Sequence, residues 1–490
     1  MNEPARRLSV VVLILFLALM AAASWIQVVN EETLSQDPRN VRTLYREYGN
    51  FRGPLVVDGE SVVWSAPSDD SFNYQRTYAD GPLYASATGF YSIVYGRSGL
   101  EQTENELLNG SADALFWTRL GNLFSGEQQQ GASVELTLKS SLQQVAAEEL
   151  GDEVGAVVAL DPQTGAILAM VTSPTYDPAD LAGHDSSVVN QNYQSLLAQE
   201  NGPLINRAIA GDTYPPGSTF KLIDAAAALE AGYTPETELY APDELALPDT
   251  SKTIGNYGGE SCGDGQSTTL ADALRTSCNT AFADLGMGLG WSVIERKAEE
   301  FGFTDKIDIP LSVTASRLPS DPDDAQTAMS AIGQYDVRST PLQMAMVAAA
   351  IANDGTLMTP YLVDTVRAPD LKVIDVTEPE VYKEPMTTED ANTLTDMMVD
   401  VVDSGTGTSA RISGVEVAGK TGTAETGVEG AAPHAWFVSF APADDPVIAV
   451  AVVVENGGSL GSEATGGKVA APIAKAVMEE AIRLDEEGDL

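Results

Sequence analysis

A run of 22 residues, Leu8 to Val29, contains no charged side chain. A helix of that length crosses the roughly 30 Å hydrocarbon core of a bilayer. Arg6 and Arg7 precede the run, and Glu31 and Glu32 follow it. The positive-inside rule then keeps the short N-terminus in the cytoplasm and exports everything after the run. A cleaved signal peptide is the alternative, with Ala21, Ala22 and Ala23 as small residues at a cut. The run is longer than a usual signal core, which favours an uncleaved, single-pass anchor in the cell membrane. No later run approaches this length. The rest of the 490 residues is expected to fold as extracytoplasmic domains on one tether.

Charge narrows what those domains do. The chain carries 71 acidic and 27 basic residues, a net charge of −44. Such a surface does not bind nucleic acid by neutralising phosphates. The acidity is spread along the chain and bears on solubility, not on fold. His184 and His434 are the two histidines, so a histidine-rich zinc site is excluded. His434 reads as a structural or rim residue, and no metal or cofactor is expected.

Lysine is scarce, with ten in the chain, and two of them stand in short motifs: Ser218-Thr219-Phe220-Lys221 and Lys420-Thr421-Gly422. Between these lies Ser277-Cys278-Asn279. Acyl transfer on a serine needs a nucleophile, an adjacent base, a proton route and an oxyanion site. Ser218 is the candidate nucleophile. Pro215, Pro216 and Gly217 suit a helix entry, and Thr219 to Ala228 reads as helix. Residues three apart share a helix face, so Lys221 reaches the Ser218 hydroxyl. The helix N-terminus also favours developing negative charge. A lysine acts as base only when its pKa falls, through burial or through a second cation such as Lys420. The small residues of Val417–Glu425 suit an edge strand open to a ligand backbone. Taken singly, each motif reads as well as a helix cap, a turn or a chance match.

In this order and spacing the three motifs resemble the active-site-serine penicillin-binding proteins and serine β-lactamases. Gly155–Leu160 and Thr164–Met170, joined by an Asp-Pro-x-Thr-Gly turn, resemble the opening of the family's transpeptidase domain. Gly333-Gln334, Thr340-Pro341-Leu342-Gln343 and Ile351–Gly355 also match its pattern. Many members have Gly where this chain has Tyr335. Arg52-Gly53, Gly99-Leu100-Glu101 and Leu108-Asn109-Gly110 resemble the non-catalytic domain of class B enzymes. The chain is most similar to the actinobacterial penicillin-binding protein A type. The resemblance implies an α+β transpeptidase domain, an antiparallel sheet with helices on both sides. A small mixed N-terminal domain and one transmembrane helix come before it. It also implies site roles. The Ser218 and Thr423 backbone N–H groups would form the oxyanion hole. Ser277 would relay a proton. Asn279 would hold Lys221 and the substrate amide. Thr421, Gly422 and Thr423 would pair with the substrate.

The expected organisation is tail and anchor over 1–30, a non-catalytic domain over 31–131 and a transpeptidase domain over 132–484. An acidic, frayed tail follows over 485–490. Gln128–Gly131 reads as a linker, Glu378–Pro385 as a loop and Thr387–Val402 as a helix. About 100 residues between anchor and catalytic domain are too few for the glycosyltransferase of bifunctional class A enzymes. Cys262 and Cys278 stand 16 positions apart, and an oxidising exterior favours a disulfide contributing about 3 kcal/mol. Two buried free thiols are the alternative.

The implied function is a peptidoglycan D,D-transpeptidase that cross-links stem peptides through a Ser218 acyl-enzyme and is inhibited by β-lactams. A D,D-carboxypeptidase or β-lactamase-type hydrolase shares the first half-reaction. A non-enzymatic division scaffold is the third reading. Family analogy adds a SEDS-family glycan polymerase and division proteins as partners.

Overall fold

Two neighbouring runs, His434–Ala441 and Ile448–Val454, are apolar at almost every position. Strands buried on one face alternate apolar and polar residues; strands buried on both do not. The computed structural model describes residues 3–29, 45, 47–116, 121, 129–211, 213–307, 309–428 and 430–490. In it these runs form the middle of a five-stranded antiparallel sheet. The spatial order is Ala418–Ala424, His434–Ala441, Ile448–Val454, Gly155–Leu160, Ile167–Ser173. Alternate residues face opposite cores. Val438, Phe440, Ala451 and Val453 join the larger one, with the helices Lys221–Glu230 and Pro341–Ala352. Phe437, Val450, Val452 and Val454 join the other, with Ser140–Leu150 and Gly466–Glu487. Helices therefore cover both sides, and the fold is α+β.

Ala418–Ala424 is an edge strand, paired on one side with His434–Ala441. Its other side faces the first turn of the serine helix, which packs against it. Trp436 ties the two together by donating its indole N–H to Pro215 O at 3.1 Å.

A second sheet has six strands and crosses the expected boundary at 131/132. Leu55–Val57 pairs antiparallel with Glu60–Pro67 and parallel with Ser133–Leu136. Ser133–Leu136 pairs in turn with Val363–Arg367, which returns from far along the chain. Of the stretch expected as a non-catalytic domain, residues 31–44, 46, 117–120 and 122–128 lie outside the described residues, as does Gln128 of the expected linker.

Two local expectations need correcting. Glu378–Pro385 is not all loop, because Val381–Lys383 pairs with Leu357–Met358. The C-terminal tail is not frayed. Its helix runs to Glu487, Leu490 packs against the second core, and Asp489 O accepts from Lys139 Nζ at 2.8 Å. An apolar contact and a cation hold it where composition alone suggests solvent.

At the other end, Glu3–Ser24 is helical and Trp25–Val29 continue it as a wider turn. Among the described residues this is the one helix long and apolar enough to cross a membrane. Its apolar side chains are exposed, including Leu8, Leu13, Phe16 and Leu19.

Candidate active site

The serine turn takes its shape from glycine and proline. Sequence pattern starts the α-helix at Thr219; the structure makes Gly217–Phe220 a 3₁₀ turn and starts the α-helix at Lys221. Side chains three apart eclipse in a 3₁₀ turn. Ser218 and Lys221 are therefore drawn to one face more closely than an α-helix would draw them. Gly217 N–H donates to Gly333 O at 3.0 Å. Gly333 has φ +68, and a Cβ there would lie 2.0 Å from Gly217 O, so no larger residue fits. Tyr335 nearby has φ +58, the left-handed region that favours glycine. That is the physical reason for the family's glycine at this position, and the tyrosine holds a strained backbone.

Both lysines are fully buried. Lys221 Nζ donates to Asn279 Oδ1 at 2.7 Å and to Ser277 O at 2.8 Å, with a longer contact to Ser277 Oγ at 3.4 Å. Lys420 Nζ donates to Ser277 Oγ at 2.8 Å and to Thr421 O at 3.0 Å. Ser277 thus stands between the two ammonium groups, and the three motifs meet. None of the hydrogen bonds of Lys221 goes to Ser218 Oγ. Ser218 is half-buried at the cleft. Catalytic hydrogen bonds often tighten only when substrate arrives.

Burial lowers the Lys221 pKa well below its ordinary value, and the charge of Lys420 lowers it further. Burial also brings Lys420 down to about 7. Asp224, one turn beyond Lys221, is fully buried, and neither carboxyl oxygen has a hydrogen-bond partner among the described residues. Burial pushes its carboxyl well above the usual range, against the pull of Lys221. Burial thus disfavours its charged form, and its pull on Lys221 offsets only part of the lowering. A deprotonated Lys221 can take a proton from a serine. As pH falls, Lys221 gains a proton and loses that capacity. Acylation by a β-lactam is expected to hold steady as pH falls through the ordinary lysine range and to decline only on further acidification. A rate that climbs tenfold per pH unit up to about 10 would give Lys221 an ordinary pKa and contradict this.

Ser277 and Asn279 are set by strain and by a loop. Ser277 has φ +61, a conformation that costs a non-glycine residue about 1–2 kcal/mol. It lies between the helices Leu270–Arg275 and Asn279–Leu289. Asn256 Oδ1 accepts from Asn279 N–H at 2.9 Å and from Thr280 N–H at 3.2 Å, capping the second helix. Asn279 Nδ2 donates back to Gly255 O at 3.2 Å. A disulfide joins Cys262 of this loop to Cys278. Asn256→Ala is expected to cost about 1 kcal/mol of stability and to slow acylation by loosening Asn279. A thermal melt and an acylation time course check both effects.

On the edge strand, Thr421 Oγ1 is 2.6 Å from Thr406 Oγ1, which fixes its rotamer. A Cβ on Gly422 would lie 2.8 Å from Trp436 Cβ and 3.0 Å from Pro216 O. The glycine lets the strand close on the serine turn. Thr423 is half-buried beside it. His434 Nδ1 accepts from Asn456 N–H at 3.1 Å, a structural contact.

Asn256, Thr406 and Asp224 escape the sequence reading. Cys262 points to the loop of Asn256. The close glycines Gly405 and Gly407 mark the turn of Thr406. The signal at Asp224 is a lone acid inside an alanine-rich helix.

A serine three residues from a buried lysine of lowered pKa, with a polar relay to a second lysine, can make and break acyl esters. The fold and its cleft thus define an active-site-serine acyltransferase. Comparison with known proteins narrows the class. Residues 155–479 match the penicillin binding protein transpeptidase domain, and residues 52–134 match the penicillin binding protein A dimerisation domain. The chain belongs to the penicillin-binding protein transpeptidase family. It is 45% identical to the peptidoglycan D,D-transpeptidase PbpA of Mycolicibacterium smegmatis, over 99% of each chain. It is 43% identical to PbpA of Mycobacterium tuberculosis, again over 99% of each. The solved ceftriaxone acyl-enzyme complex of penicillin-binding protein A from M. tuberculosis superposes with a TM-score of 0.87 at 42% identity. That match covers 89% of this chain and all of the other.

Proposed function

We propose that this protein is a peptidoglycan D,D-transpeptidase that works through an acyl-enzyme on Ser218 and is blocked by β-lactams. One observation carries the assignment of roles: two buried lysines with lowered pKa values share Ser277, one of them three residues from Ser218. Full-length similarity to the two PbpA enzymes supports the substrate class.

In this reading Ser218 Oγ attacks the penultimate D-Ala carbonyl of a stem peptide while Lys221 takes the hydroxyl proton. The Ser218 and Thr423 backbone N–H groups receive the oxyanion. The C–N bond to the terminal D-Ala breaks, and its nitrogen takes a proton delivered through Ser277. D-Ala leaves, and the acyl group remains as a Ser218 ester. An amine of a neighbouring stem then attacks the ester carbonyl and gives a proton to the base, the carbonyl carbon's bond to Ser218 Oγ breaks, that proton returns to Ser218, and the cross-link amide is left. Asn279 holds Lys221 and the substrate amide. Thr421, Gly422 and Thr423 add the substrate as a further strand on the free edge.

The surrounding assignments belong to the same proposal. Residues 1–30 anchor the protein in the cell membrane with the N-terminus cytoplasmic. Residues 31–131 form a non-catalytic pedestal, 132–484 the extracytoplasmic transpeptidase domain and 485–490 its acidic tail. A SEDS-family polymerase and division proteins are the partners by family analogy, with a role at division. Incubation of the full-length chain with a stem-peptide donor and an amine acceptor tests the reaction. Cross-linked product with D-Ala release is expected. Release without cross-linking would make the protein a carboxypeptidase.

A further inference from the structure

The turn at 404–408 lies against the edge strand and takes no part in the reaction described above. Its backbone is held from two sides. A Cβ on Gly405 would lie 2.3 Å from Arg275 O, at the end of the helix Leu270–Arg275. A Cβ on Gly467, at the start of the last helix, would lie 2.3 Å from Thr406 O. Thr406 N–H donates to Arg275 O at 3.3 Å, and Gly407 N–H donates to Val401 O at 2.9 Å. Close approach of this kind fixes where the Thr406 side chain starts, although that side chain is exposed.

Thr406 Oγ1 lies 2.6 Å from Thr421 Oγ1, and neither hydroxyl has another hydrogen-bond partner among the described residues. Two hydroxyls that share one hydrogen bond spend one O–H on each other and keep the second. Thr421 is 6% exposed, whereas Thr406 is open to solvent. The spare O–H therefore belongs on Thr406, with Thr421 donating into it. A hydroxyl that accepts one hydrogen bond becomes a better donor in the next.

The transpeptidase reading says what lies in front of it. There the oxyanion sits on Thr423 N–H, and the leaving nitrogen takes its proton through Ser277, which Lys420 Nζ holds at 2.8 Å. The leaving D-Ala therefore points from the reacting carbonyl toward the Lys420–Thr421 end of the strand. Its terminal carboxylate is the ionised group it brings to that end. The nearby guanidinium of Arg275 is already engaged by Asp272 at 2.8 Å. We propose, resting on that reading, that Thr406 is a specificity residue whose O–H donates to this carboxylate. Donation to an ionised acceptor is stronger than donation to a neutral one, so the enzyme selects acyl donors that end in a free carboxylate.

Acylation rates of the detergent-solubilised full-length chain with benzylpenicillin and with its methyl ester test this, because the ester lacks the ionised carboxylate. The unaltered chain is expected to prefer the acid. Thr406→Val keeps the shape of the side chain and is expected to lower that preference about tenfold, and Thr406→Ser to keep it. A preference unchanged in Thr406→Val overturns the proposal, as does one that Thr406→Ser fails to keep. A role in packing alone would slow acid and ester alike and leave their ratio where it was. Should the ester react too slowly to time, the acid alone decides: a tenfold gap between Thr406→Val and Thr406→Ser supports the site, and equal rates overturn it. Failure of the transpeptidase reading would show separately, as an unaltered chain that penicillin labels but that releases no D-Ala from a stem peptide.

Discussion

Ser218→Ala is expected to abolish covalent labelling by a fluorescent penicillin while leaving the melting temperature within about 1 °C. The expectation is this sharp because no neighbouring group can substitute. Ser277 is the other hydroxyl at the lysines, but it accepts from Lys420 and sits on a strained backbone between two helices. The helix start that follows it has its Asn279 and Thr280 N–H groups taken by Asn256 Oδ1. Ser218 is half-buried and loses little packing on truncation, so fold and activity separate. Removing an acyl-transfer nucleophile costs up to about 10⁶-fold in turnover, which here reads as no label at all. Labelling that survives the substitution would move the nucleophile elsewhere.

Lys221→Met is expected to slow acylation by about 10³-fold, in the range for loss of a positioned base. Methionine suits the test because the side chain lies fully buried, with its amine 5.5 Å from the Phe282 ring. It keeps the volume and discards the charge. The substitution also removes the donor to Asn279 Oδ1 and Ser277 O, so some loss of stability accompanies it. The pH profile isolates the catalytic part. The fall in rate toward acid pH should disappear with Lys221, since the titrating base is gone. A variant of unchanged rate, or one with the same acid-side fall, would remove Lys221 as the base.

Much of the scaffold is legible in the sequence because burial writes directly into composition. Gly155–Leu160, His434–Ala441 and Ile448–Val454 are near-continuous apolar runs, and a sheet covered on both faces demands that. Motif order and spacing suggest the convergence of Lys221, Ser277 and Lys420 through resemblance, and the structure brings the three together. Local geometry is less legible. The 3₁₀ turn at Ser218 depends on Gly217 meeting Gly333, more than 100 residues away. The left-handed backbone of Ser277 follows from two helices meeting, which no local pattern signals. Val363–Arg367 joins a sheet begun near residue 55, and such long-range pairing leaves no trace within a window. Val381–Lys383 is short and acidic-flanked, so its pairing is hidden by the loop-like residues around it.

The central claim is that Ser218 carries the acyl group. Mass spectrometry of the full-length chain after brief exposure to a β-lactam tests it most directly. The expected result is one adduct of the intact drug mass per chain, mapped by digestion to the peptide bearing Ser218. An adduct on any other residue, or no adduct on a folded chain, would contradict it.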